Sequence, residues 1–87
     1  VNLNPNLIKA YNNRGIAYSA LGQYQHALDD YDTTIKLKSN YADTYNNRAI
    51  VYFKLEKIKS GCIDAQKACE LGICKALDSA KNQGLCN

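Results

Sequence analysis

A single histidine, His26, is all the imidazole that the 87 residues provide, and it sits beside Gln25 where a polar, outward role is expected. Metal-assisted or acyl-transfer chemistry needs spaced polar groups, and the motifs that supply them are missing. There is no HExxH, no glycine-rich phosphate loop and no nucleophile elbow. An enzyme is therefore not expected, and no cofactor is called for. No apolar run approaches the ~18 residues that a membrane-spanning helix requires. The 11 basic and 8 acidic residues are interspersed, leaving a net charge of +3 and no basic stripe of the kind that tracks a nucleic-acid backbone. No Cys-x-x-Cys pair occurs either, so the cysteines lack the spacing of a structural zinc site.

What the chain does have is a repeat. Tyr11-Asn12-Asn13-Arg14 returns unchanged as Tyr45-Asn46-Asn47-Arg48. At the same interval Ile16 recurs as Ile50, Tyr18 as Tyr52, Leu21 as Leu55, Asp30 as Asp64 and Leu37 as Leu71. A fixed period of this length means one supersecondary unit copied in tandem. One unit cannot bury its apolar face alone, so the copies must stack. Residues 1–6 align one period before 35–40 and read as the tail of a preceding copy, as expected of a fragment from a longer array. Residues 7–40 form the first copy and 41–73 a second, divergent one. Residues 74–87 remain for a C-terminal capping helix and tail.

Within each copy the pattern is helical. Leu7, Ile8, Tyr11, Gly15, Tyr18 and Leu21 follow a three-and-four spacing. Pro5 suits a first turn, where its missing N–H is not needed, and Gly22 suits a left-handed stop. Tyr24, Ala27, Leu28, Tyr31 and Ile35 mark a second helix, which Ser39 and Asn40 break and from which they cap the next. The second copy predicts helices over 42–55 and 58–71 around a turn at Glu56-Lys57. A last helix is predicted over 74–83. Gly15, Ala27, Ala49 and Gly61 fall where paired helices approach closely. The fold class is all-α, with antiparallel αα-hairpins stacked in tandem.

Tyr11, Gly15, Ala17, Tyr18, Leu21-Gly22, Tyr24, Ala27-Leu28 and Tyr31 resemble the tetratricopeptide repeat, with Pro5 in the family's proline place and Ser39 in the next. The second copy departs from the pattern: Ala49 replaces the Gly, Glu56 the turn Gly, Ile58 the Tyr, and Gly61-Cys62 the Ala-Leu pair. The resemblance implies a right-handed superhelix of αα-hairpins whose concave face binds a peptide or protein. On such a hairpin the first helix lines the groove. The inward-pointing residues are then Lys9, Asn12, Asn13, Ile16 and Ser19, followed by Asp43, Asn46, Asn47, Ile50, Phe53 and Lys54. The asparagines can donate to and accept from an extended backbone, or can serve loop and helix-end hydrogen bonds. Phe53, the one phenylalanine, is expected to be an exposed anchor. Family members that grip acidic chaperone tails use a basic clamp. Here Asn47 matches its asparagine, but Asn12 and Ile16 depart from it and the third repeat is absent, so that specificity is not expected.

Two further sets of residues read as structural. Arg14 with Asp30, and Arg48 with Asp64, share one spacing that sets each pair side by side across a hairpin, as a partly buried ion pair fixing helix register. Asp29 and Asp32 read as solvated. Cys62, Cys69, Cys74 and Cys86 crowd into the last third of the chain. Metal ligands, small buried side chains and disulfides are all open to them. A turn at Gly72 followed by an antiparallel last helix favours the nested pairing Cys62–Cys86 and Cys69–Cys74. That pairing implies an oxidising compartment, periplasmic or extracellular; free thiols imply the cytoplasm. The expected function is a non-catalytic protein-interaction module. The alternative is end-to-end self-association through Leu7 and Ile8 on the exposed first helix.

Overall fold

Asn4 caps the first helix, its Oδ1 accepting the Asn6 amide at 2.9 Å, and Pro5 supplies the first turn. Pro5 and Asn6 therefore belong to this helix and not to a preceding tail. The computed structural model describes residues 4–86, so the part of that tail at 1–3 lies outside the described residues. The helices are α1 (Pro5–Ala20), α2 (Tyr24–Leu37), α3 (Ala42–Lys54), α4 (Ile58–Glu70) and α5 (Lys75–Asn82). No strand occurs among the described residues. α1 pairs with α2 and α3 with α4 as antiparallel hairpins. α3 joins the hairpins by packing on α2, and α5 closes the stack against α3 and α4.

Four of the helices stop in the same way. After α1, Gly22 takes a φ of 76°; its amide reaches the Ser19 carbonyl, and the Gln23 amide reaches that of Tyr18. This pair of bonds is the Schellman motif, which satisfies carbonyls the helix leaves open. The motif recurs at Glu56-Lys57, Gly72-Ile73 and Gly84-Leu85. Glu56 is the exception in chemistry, holding a φ of 60° without being glycine. α2 ends otherwise, with Lys38 extended. Ser39 and Asn40 do not cap α3: Tyr41 holds the cap position without a side-chain bond. The Ser39 carbonyl instead accepts the Tyr45 hydroxyl at 2.7 Å.

The core is built from small residues and a few rings. One cluster joins Ala27, Leu28, Tyr31 and Val51 between the hairpins. The other gathers Ala49, Ala65, Ala76, Leu77, Ala80 and Cys86 around α5. Gly15 meets the Tyr31 ring so closely that a Cβ there would sit 2.5 Å from it. In the second hairpin the partners change sides. Ala65 occupies the place of Tyr31, and the ring comes from Phe53 on α3, lying 2.5 Å from where a Cβ on Gly61 would stand. Phe53 is therefore not the exposed anchor expected; it is half-buried and packs on the core. Ile8 is likewise buried at 6% exposure, whereas Leu7 is open at 45%.

All four cysteines are paired. Cys62 bonds Cys86 across 24 residues and Cys69 bonds Cys74 across 5. The first bond draws the tail after α5 back onto α4, and the Cys62 sulfur lies 3.3 Å from the Leu85 carbonyl.

Candidate functional site

Two depressions adjoin on the face formed by α1, α3 and α5. The first, about 380 Å³, lies between Ile16 and Ser19 of α1 and Asn47 and Ile50 of α3, with Tyr24 and Tyr31 of α2 behind them. The second, about 290 Å³, runs from Phe53 to Ala76, Ser79 and Leu85. Ile50 and Lys54 line both. Lys54 is the one charged side chain around either. The face is thus an apolar trough with amide and hydroxyl groups at its edges and a single ammonium.

Two expected groove residues face inward instead. Asn12 is 4% exposed and Asn46 is 9% exposed. Asn12 Oδ1 accepts the Thr44 hydroxyl at 2.8 Å, tying α1 to the first turn of α3. Asn46 Oδ1 accepts the Ala76 amide at 3.0 Å, in the first turn of α5. That amide is among the donors a helix start leaves without an intrahelical partner. Each asparagine thus holds the start of the next groove-lining helix, and neither is free to meet a peptide. Asn47 is half-buried, with its amide 3.5 Å from the same Asn12 oxygen, and it still borders the trough.

The residues 8–41, which hold all but the start of this first hairpin, match the family model for the tetratricopeptide repeat. The chain contains a tetratricopeptide repeat. Comparison with curated proteins gave no match, and neither did comparison with solved structures. Tetratricopeptide repeats generally mediate protein–protein interaction and are typically non-catalytic. No helix among the described residues is long and apolar enough to cross a membrane.

Around the tetratricopeptide hairpin the remaining predicted residues divide. Ile16, Ser19, Asn47, Ile50, Phe53 and Lys54 meet along the trough. Asn13 and Asp43 are exposed but border neither depression, and Lys9 lines a separate hollow with Pro5, Lys38 and Tyr41. Sequence reasoning misses the wall supplied by α5, to which it assigns only capping. A signal is present: Ala76 stands one repeat period after Ala42, so α5 begins where the groove-lining helix of a further copy would begin.

An ion pair crosses each hairpin. Arg14 donates from Nε and Nη2 to both Asp30 oxygens at 2.8 and 2.7 Å, and Arg48 does the same to Asp64 at 2.7 and 2.9 Å. These bidentate bonds hold both guanidinium groups above the ordinary arginine range. For Arg14 the Asp30 hydrogen bond leads, followed by that carboxylate's charge. For Arg48 the Asp64 bond outweighs burial. Arg48 Nη1 also reaches Asp32 at 2.9 Å, so Asp32 is an inter-hairpin partner and not simply solvated. Arg48 thereby links α2, α3 and α4, whereas Arg14 serves one hairpin and stays 59% exposed. Tyr31, 1% exposed, has its phenol pushed up to about 12, by burial first and by Asp30 second.

Proposed function

We propose that the chain is a non-catalytic interaction module whose trough receives an extended segment of another protein. In this reading 7–40 and 41–73 are two tetratricopeptide copies, and 74–87 both caps the stack and completes the groove. The supporting observation is that Ile16 and Ile50 stay 44% and 38% exposed at adjoining hollows. Fully burying such a side chain contributes about 1.5–3 kcal/mol. Two apolar side chains of a peptide fit the two hollows, with Ser19 and Asn47 facing its backbone and Lys54 meeting a carboxylate. The two disulfides support an oxidising compartment, periplasmic or extracellular, for this work.

The test is a set of peptides selected from a random displayed library against the wild-type chain. Fluorescence anisotropy should show affinity falling about tenfold or more with Ile50→Asp, as expected for one lost apolar contact of that size. Peptides that bind Ile50→Asp and Ile16→Asp undiminished would remove the groove from consideration.

One observation favours a second reading, self-association. Leu7 is 45% exposed, one residue before Ile8, which lines a hollow of about 440 Å³ with Pro5, Lys9, Lys38, Asn40 and Tyr41. Sedimentation equilibrium separates the two readings. Mass rising with concentration, and lost in Leu7→Asp, supports assembly; a persistent monomer removes it.

A further inference from the structure

A larger depression, about 820 Å³, lies beyond the trough and shares only Leu85 with it, between α4 and the α5 tail that Cys86 pins to Cys62. Its character emerges when the two hairpins are compared position by position. In α2 the outer surface carries Gln25, Asp29, Asp32 and Thr33, and Gln25 Nε2 donates to Asp29 Oδ1 at 3.0 Å in open solvent. The places one repeat period on hold Lys59, Ile63, Gln66 and Lys67. Polar and acidic positions of the first hairpin, among them the exposed Asp29 and the Arg48-bound Asp32, are thus apolar, basic or neutral in the second. Ile63, in the place of Asp29, is 61% exposed, and Lys81 of α5 adds a third ammonium against one carboxylate, Glu70.

We propose that this face docks an acidic amphipathic helix of a partner protein. The partner's apolar row sits on Ile58, Ile63 and Leu85, and its carboxylates meet Lys59, Lys67 and Lys81. The shape favours a helix, because the hollow follows α4, whose 13 residues extend about 20 Å at 1.5 Å per residue. A helix laid in such a groove presents anchors every three or four residues. Charge complementarity selects an acidic partner, because three lysines surround the hollow against one glutamate.

The experiment uses the oxidised chain and a synthetic helical peptide of about 14 residues, ~20 Å long, with a leucine row flanked by glutamates. The control peptide has every glutamate replaced by lysine. Titration into isotopically labelled protein should move the amide signals of Ile63, Lys67 and Lys81 and leave those of Ile16 and Ile50 in place. Added salt should weaken the binding, as expected for exposed charges. Ile63→Asp restores the residue type that the first hairpin carries there, and should lower the affinity about tenfold without changing the melting temperature. Equal binding of the lysine peptide, shifts confined to the trough, or full affinity in Ile63→Asp each overturn the proposal. So does dimerisation abolished by Ile63→Asp, which assigns the face to a second copy. Binding to phosphatidylglycerol vesicles with no peptide binding overturns it in favour of a membrane.

Discussion

A methyl group added at Gly15 would meet Tyr31, a ring 1% exposed and wedged between hairpins. Alanine in a helix interior gains about 1 kcal/mol over glycine, but overpacking a core costs about 1–3 kcal/mol. With the Tyr31 ring confined, the clash wins, and Gly15→Ala should lower stability by about 1 kcal/mol in urea unfolding. The same change at Gly61 meets Phe53, which is half-buried at the rim of the trough and has room to swing outward. Gly61→Ala should therefore be close to neutral. Equal losses at the two sites would mean that Phe53 is as confined as Tyr31. These rings also show where single-residue reading fails. Phe53 reads as free when only its own helix face is considered, while the ring it replaces, Tyr31, sits on the opposite helix one repeat period before Ala65. Asn12 and Asn46 read as ligand contacts for the same reason. Their partners, Thr44 and the Ala76 amide, are 32 and 30 residues away.

At the level of the helix, the ends carry the information. Four helices close with a Schellman motif, three of them on glycine, and α3 closes on Glu56 at a φ of 60°. A left-handed residue with a Cβ costs about 1–2 kcal/mol, and glycine recovers this at the expense of greater freedom in the unfolded chain. Glu56→Gly, which restores the residue type of Gly22, should raise stability by about 0.5–1 kcal/mol. For a domain of this size that is a few degrees in melting temperature. A lower melting temperature would mean that Glu56 makes a compensating contact. The helices themselves were legible because the three-and-four spacing and the period agree, and the observed bounds lie close to expectation. The α2–α3 link was not legible. Ser39 and Asn40 have capping chemistry, but the chain leaves α2 extended through Lys38, and α3 begins late enough that both fall short of the cap position held by Tyr41.

For the molecule as a whole, the nested disulfides offset what the second hairpin lacks in bulk. Its core is mainly alanine, and alanine buries little area. In the chain-entropy account, closing the 24-residue ring of Cys62–Cys86 stabilises by roughly 3 kcal/mol, and the short Cys69–Cys74 ring by roughly 2 kcal/mol. The double variant Cys62→Ala/Cys86→Ala should therefore lose more denaturant stability than Cys69→Ala/Cys74→Ala. The reverse order would show that the tail is held by packing and not by its bond. The pairing was legible because a turn at Gly72 and an antiparallel last helix leave one arrangement with little distortion. The further use of α5, as a wall of the trough, depends on how α3 and α5 lie side by side, which no local pattern records.

The Cys62–Cys86 bond also sets the path of a mechanical load. Tension applied at the two ends of the chain runs through α1, α2 and α3 to the first turns of α4, then crosses from one sulfur to the other. Everything between the two cysteines carries none of it. At about 3.5 Å per residue, roughly 80 Å of contour stays out of reach of the pull. The last helix is the segment that a stretched chain gives up last.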